Sequence, residues 1–280
     1  MAVIIALMQY VLSIVSGILV GFSLGLIGGG GSILAVPLFL YFVGLDTVPD
    51  AAHIAIGTTA LAVGLNAYIN SYMHLRKKNV APRVGGIFAG VGLAGSLIGA
   101  YLGHITPPGT DLLTYFAIAM IVLGIYMAIR RESTRAGTVD EVNHVVNAFQ
   151  KCPRLTTSTI LKVAIFGFIV GLVSGYFGIG GGFLIVPSLM FSAGLCITRA
   201  IGTSLISVGT FGVASGAEYW YYGDVLILIA LLYVAGGVVG GYAGTSLAVK
   251  VPKSTLRIAY GAIIVLVGIY MLMRVYHIIP

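Results

Sequence analysis

The sequence predicts an all-α polytopic membrane protein made of two inverted repeats of about five hydrophobic segments each. Three observations predict it: an apolar composition, an internal duplication, and a one-sided distribution of basic residues. Of the 280 residues, 59% are hydrophobic and 8% charged, and mean hydropathy is +1.06. A soluble domain carries about 25% charged residues, so this chain cannot cover a water-exposed surface. The first charge is Asp46, and further charge-free runs cover 51–75, 84–110, 112–129, 163–198, 200–217, 225–249 and 258–273. Crossing a bilayer as helix takes about 20 apolar residues. A membrane β-barrel would alternate apolar and polar residues in short segments, and these runs do not alternate.

The duplication is explicit. GFSLGLIGGGGSILAVP (21–37) matches GLVSGYFGIGGGFLIVP (171–187) at a constant offset of 150. The offset then becomes 145, with AIGTTA (55–60) on AIGTSL (200–205) and Gly95 and Gly99 on Gly240 and Gly244. Two homologous halves follow, 1–131 and 159–280, joined by a polar linker at 132–158. Val142, Val145, Val146 and Phe149 in the linker fall on one helical face, as in an amphipathic helix lying on the membrane surface.

The first half divides into apolar segments at 3–27, 32–45, 52–74, 84–104 and 111–130. The second divides at 159–177, 183–197, 200–222, 225–249 and 256–275. The N-terminal segment lacks a basic leader and reads as a retained helix, not a cleaved signal. The second segment of each half is shorter than a usual span, so full crossing and re-entrant loop both remain open. Basic residues cluster in the 75–83 loop, the linker and the 250–257 loop, which places all three in the cytoplasm. Equivalent loops of the two halves then face opposite sides. That is the inversion, and it leaves both termini outside the cell membrane. The net charge of +7 reflects this bias and is no sign of nucleic-acid binding. Cys152 and Cys196 suggest neither a disulfide framework nor a metal site.

Glycine-interrupted short segments in corresponding places of inverted repeats point to a transporter binding site. Glycine lets backbone bend and approach a ligand, and a helix that restarts near Ser32 or Phe183 aims its free N–H groups at the gap. The expected anion site combines Gly28, Gly29, Gly30, Gly31 and Ser32 with Gly178, Gly180, Gly181 and Gly182. Hydroxyls of Thr58, Thr59, Thr203 and Ser204 and the amide of Asn66, with Asn70 one turn on, complete it. No lysine or arginine falls mid-segment, so a small anion would be held by neutral donors. His53 and Arg199, each just ahead of a Gly-Thr pair, are candidates for gating the two mouths. Glu218, inside an apolar segment, is a candidate for proton coupling, beside the aromatic belt of Tyr219, Trp220 and Tyr221. Gly95/Gly99 and Gly240/Gly244 fit close helix packing. No catalytic constellation, metal set or cofactor motif occurs, and the reading is of a transporter, not an enzyme.

In the duplicated glycine block ending in Val-Pro (28–37 and 178–187), the duplicated Gly-Thr-Thr/Ser (57–59 and 202–204) and the glycine-rich later helices, the chain resembles the sulfite exporter TauE/SafE family of prokaryotic anion permeases. The resemblance covers nearly the whole chain outside the linker. It implies transport of sulfite or an organosulfonate, usually outward; import of sulfate or thiosulfate, or an anion channel, are the alternative readings. The implied partners are the small anion and membrane lipid; a homodimer stays open.

Overall fold

The computed structural model describes residues 2–45, 50–106, 110–129, 156–178, 182–247 and 253–276. The linker with its expected surface helix lies outside the described residues. Ten apolar segments fold where the sequence expects them, and no strand occurs among the described residues. The first half holds α1 (Ala2–Ile27), an irregular α2 (Gly31–Phe42), α3 (Ala51–Arg76), α4 (Pro82–Ile105) and α5 (Thr110–Ile129). The second holds α6 (Thr157–Phe177), α7 (Gly182–Ala193), α8 (Ile197–Tyr221), α9 (Ile227–Leu247) and α10 (Lys253–Val275). Six helices, α1, α3, α4, α6, α8 and α9, contain described stretches long and apolar enough to cross a membrane.

Local chemistry explains the boundaries. α3 ends in the basic Arg76-Lys77-Lys78 turn, which belongs in water. α4 opens on Pro82, whose missing N–H is no loss at a helix start. α2 changes winding twice, from 3₁₀ at Gly28–Leu34 through one α turn at Ala35–Pro37 to a π turn at Leu38–Phe42. It also runs back along α1. Gly31 packs on Ser23 and Leu24, and Gln9 Nε2 reaches the Gly44 carbonyl at 3.5 Å.

The four most extensive helix pairs each join one half to the other: α1 with α9, α4 with α6, α3 with α8 and α5 with α10. Along α1 and α9 the backbones touch at Gly17/Tyr233, Gly21/Gly237 and Gly25/Gly241. Along α6 and α4 they touch at Gly167/Phe88, Gly171/Gly92 and Gly175/Ser96. The second set is the first moved by the offsets of 150 and 145 read from the sequence. Residue numbers rise together in both pairs, so these helices are parallel. By contrast, α3 and α8 are antiparallel, with Gly57 on Tyr219, Gly64 on Gly212 and Gly209 on Tyr68. Gly95 and Gly99 lie on the backbone of Phe168 and Leu172, and Gly240 and Gly244 on that of Ile18 and Phe22. This is the close packing expected of small residues four apart. Lipid is as apolar as leucine, so such helices associate through tight contact, which only the absent side chain permits.

A side chain at Gly21 would occupy the position of the Gly237 carbonyl, whereas one at Gly86 would meet nothing within 4 Å. Gly21→Val is expected to cost at least about 1–3 kcal/mol of overpacking and to lower the melting temperature in detergent sharply. Gly86→Ala is expected to leave it unchanged or raised. Equal melting of both variants would refute the seam.

Candidate functional site

Each glycine block begins with a residue in left-handed backbone, Gly28 at φ +78° and Gly178 at φ +61°. Both follow the last residue of a helix, the usual place for a left-handed glycine cap; the Gly178 N–H bonds the Gly175 carbonyl at 3.2 Å. Both also lack room. A Cβ on Gly28 would meet the side chain of Ile201, and one on Gly178 that of Ile56. Ile56 and Ile201 are equivalent residues directly ahead of the Gly-Thr pairs. The break of each half therefore seats on the Gly-Thr helix start of the other half.

The hydroxyls expected to bind the anion surround these seats and are buried. The Gly29 N–H donates to Ser204 Oγ at 3.4 Å, Ser204 Oγ donates to the Ile201 carbonyl at 2.7 Å, and Ser32 Oγ donates to the Gly29 carbonyl at 2.8 Å. Thr58 Oγ1 accepts the Leu226 N–H at 3.0 Å, and Thr203 Oγ1 accepts the Ala81 N–H at 2.9 Å. Those two bonds are again equivalent, and each ties one half to the other. Thr59 Oγ1 donates to the Ala55 carbonyl at 2.6 Å. Thr58 and Thr203 act here as acceptors, so their hydroxyl hydrogens are the donors left over. Gly182 opens α7 as the sequence reading expects near Phe183; Gly180 and Gly181 lie outside the described residues, and Gly30 is in the 3₁₀ stretch.

The two breaks do not share one gap. Gly57 and Thr58 lie opposite Tyr219, near the start of α3, while Gly202 and Thr203 lie opposite His74, near its end. Gly57 and His74 mark these levels and lie seventeen residues apart in α3, about 26 Å at 1.5 Å per residue. The structure thus makes two equivalent seats near opposite ends of the α3–α8 pair, where the sequence reading has both blocks line a common midplane gap. The first seat holds Gly28, Gly29, Gly31, Ser32, Thr203 and Ser204; the second holds Gly178, Thr58 and Thr59.

Asn66 sits midway between them, wholly buried, with neither amide atom hydrogen-bonded. It packs on Gly237 of α9. The equivalent position is Phe211, which packs on Gly92 in the same way. From Asn66 a polar row leads toward the basic end of α3. Asn70 Nδ2 donates to the Asn66 carbonyl at 2.9 Å, Thr245 Oγ1 to Asn70 Oδ1 at 3.4 Å, and Lys77 Nζ to the Thr245 carbonyl at 3.0 Å. His74 Nε2 lies 3.3 Å from the Gly25 carbonyl.

His53 lies at the start of α3, 4% exposed, and Glu218 in the last turn of α8 that faces it. Arg199, at the start of α8, is at the opposite end. The sequence reading missed that His104 and Asp224 join His53, because this cluster arises only where α3, α4 and α8 meet. Among the described residues no group of three or more His, Cys, Asp or Glu could hold a metal ion. A lateral groove of about 510 Å³ between α1, α2 and α10 is lined by Phe22, Leu26, Pro37, Tyr41 and Val267. Its apolar walls suit lipid rather than an anion.

These features can be set against known proteins. The family model described as sulfite exporter TauE/SafE matches residues 13–271. A protein of Xylella fastidiosa (strain Temecula1) named "Probable membrane transporter protein" is 40% identical over 266 residues, 94% of this chain and 95% of the relative. The Bacillus subtilis (strain 168) protein named "Probable membrane transporter protein YdhB" is 27% identical over 243 residues, 86% of this chain and 91% of the relative. A similarly named protein of Methanocaldococcus jannaschii is 28% identical over 269 residues, 91% of this chain and 94% of the relative. No solved structure matches significantly. With its glycine-broken segments, its apolar helices and a family match spanning almost its full length, the chain belongs to the TauE/SafE sulfite exporter family of multi-pass membrane transporters.

Proposed function

We propose that the chain exports a small sulfur-containing anion, sulfite or an organosulfonate, across the cytoplasmic membrane by alternating access of two inverted halves. The reading is carried by the seating of each glycine break on the opposite half's Gly-Thr helix start. Inversion has its own support. α3 and α8 are equivalent in sequence yet antiparallel. A two-fold axis relating antiparallel spanning helices is perpendicular to them and so lies in the membrane plane. The basic loops follow the same sense, with 75–83, the linker and 250–257 inside and both termini outside. Every segment then crosses, α2 and α7 included.

Two equivalent seats near opposite faces are what a rocking mechanism requires. Motion that lifts one break off its seat opens one mouth, while the other break stays seated and closes the other. At an open seat the N–H groups of Gly28–Gly31, the freed Ser204 hydroxyl and Thr203 offer neutral donors to an oxyanion; Gly178 with Thr58 and Thr59 does so at the other. Asn66 meets the anion between them. Neutral donors bind a small anion without the cost of an unpaired buried cation. Outward movement of one negative charge across an inside-negative membrane releases about 2.3 kcal/mol per 100 mV, enough to drive export.

Purified protein in liposomes is expected to take up labelled sulfite saturably, to accelerate when unlabelled sulfite is present on the far side, and to be inhibited by sulfonates. Acceleration only by sulfate or thiosulfate would replace the substrate. Flux without saturation or counterflow would mean a channel, and the absence of flux would overturn the reading. Ser204→Ala removes the acceptor of the Gly29 N–H. It should change transport by the worth of one hydrogen bond, about 1 kcal/mol or roughly fivefold, in protein that melts close to wild type. Wild-type kinetics in that variant would remove Ser204 from the site.

A further inference from the structure

The end of the bundle where α3 begins gathers titratable side chains from four helices. His53 of α3 is 4% exposed, and its Nε2 has no hydrogen-bond partner. Its ring centroid is 5.6 Å from that of His104 on α4 and 6.3 Å from that of Tyr219 on α8. His104 stacks on Tyr222 at 3.7 Å and places Nδ1 3.4 Å from Asp224 Oδ2. The Tyr219 hydroxyl and Glu218 Oε2 are buried without hydrogen-bond partners. Tyr176 of α6 lies against Thr106 at 3.3 Å, and Tyr101 of α4 and Asp50 at the head of α3 are the remaining titratable groups among the described residues. None of these groups is a lysine or arginine.

The molecule supplies its own control. Subtracting the offset of 145 from Glu218, Tyr219, Tyr222 and Asp224 gives Met73, His74, Lys77 and Asn79. The packing is the same at both ends, Gly57 on Tyr219 and Asp224, and Gly202 on His74 and Asn79. So the fold does not require acids or a histidine pair here. The His74 end presents Lys77, which suits anions. The His53 end presents the carboxylates of Asp50, Glu218 and Asp224, which repel them while both imidazoles are neutral. One proton on each imidazole offsets most of that charge.

We infer that His53 and His104, flanked by Asp224, Glu218 and Tyr219, form a proton-binding site that admits the anion to this mouth together with protons. The inference rests on the transport reading for its consequence but not for the site itself. Linkage makes the effect mutual: protons raise anion affinity at this mouth, and a bound anion raises proton affinity. Anion release into neutral medium is then favoured by the carboxylates left behind, and anion entry from the same side requires acid.

Trp220 is the only tryptophan in the chain and adjoins Tyr219, so its emission reports on this site with no substrate present. In purified wild type it is expected to titrate in the range where histidine changes charge, about pH 5 to 8. The step should vanish in His53→Gln/His104→Gln. In liposomes held at equal pH on both sides, wild-type sulfite exchange should rise from about pH 8 to about pH 6, and the pH profile of the double variant should be flat. A fluorescence step retained in the double variant, or missing from wild type, would overturn the site, as would a wild-type pH profile in the folded double variant. The predicted fluorescence behaviour in protein that moves no anion would uphold the site and sink the transport reading instead.

Discussion

Backbone-to-backbone contact at two glycine seams holds this molecule together. In a bilayer the hydrophobic effect does not distinguish helix from lipid, so association depends on how closely helices approach. α1 with α9 and α4 with α6 approach until carbonyl meets glycine Cα at three successive turns. Both seams join opposite halves, as do α3 with α8 and α5 with α10. Both buried apolar clusters draw residues from both halves. The duplicated units are units of sequence, and the stable object is the interlocked pair. Both halves carry glycine at the same turns because each supplies one partner to each seam.

That interlock also underlies the proposed mechanism. The break of one half can seat only on the other half, so relative motion of the halves must unseat one break or the other. The buried bonds from Leu226 to Thr58 and from Ala81 to Thr203 lie beside the seats. They tie the same two bodies and would have to yield in the same motion. Two-fold equivalence makes the open states similar in energy. In the proposed mechanism, departures from it give the pathway its direction: Asn66 against Phe211 at mid-depth, and His74, Lys77 and Asn79 against Tyr219, Tyr222 and Asp224 at the ends.

Much of the fold was legible because it is local. Hydropathy located all ten segments to within a few residues, and the offsets of 150 and 145 named the residues that pack equivalently. Spacing alone identified Gly95/Gly99 and Gly240/Gly244 as seams. The site was legible only in part. The glycine blocks announce breaks, but not that α1 crosses nearly to its far side before Gly28, nor that α6 does so before Gly178. That separation puts the blocks at opposite ends and depends on cross-half pairing, which periodicity does not carry. Thr58 and Thr203 looked free because their donors, Leu226 and Ala81, are well over a hundred residues away. The joining of His53, His104 and Asp224 was hidden for the same reason.

The proposed mechanism turns on the inversion of the two halves, and Arg76 and Tyr221 test it most directly, being equivalent residues at the ends of α3 and α8 and both exposed. Each would be replaced by cysteine in a chain whose own Cys152 and Cys196 are serine, and labelled in intact cells with a membrane-impermeant thiol reagent. Inversion predicts labelling of Tyr221→Cys from outside and of Arg76→Cys only after the cells are opened. Labelling of both from the same side would contradict it, and with it the two-mouth mechanism.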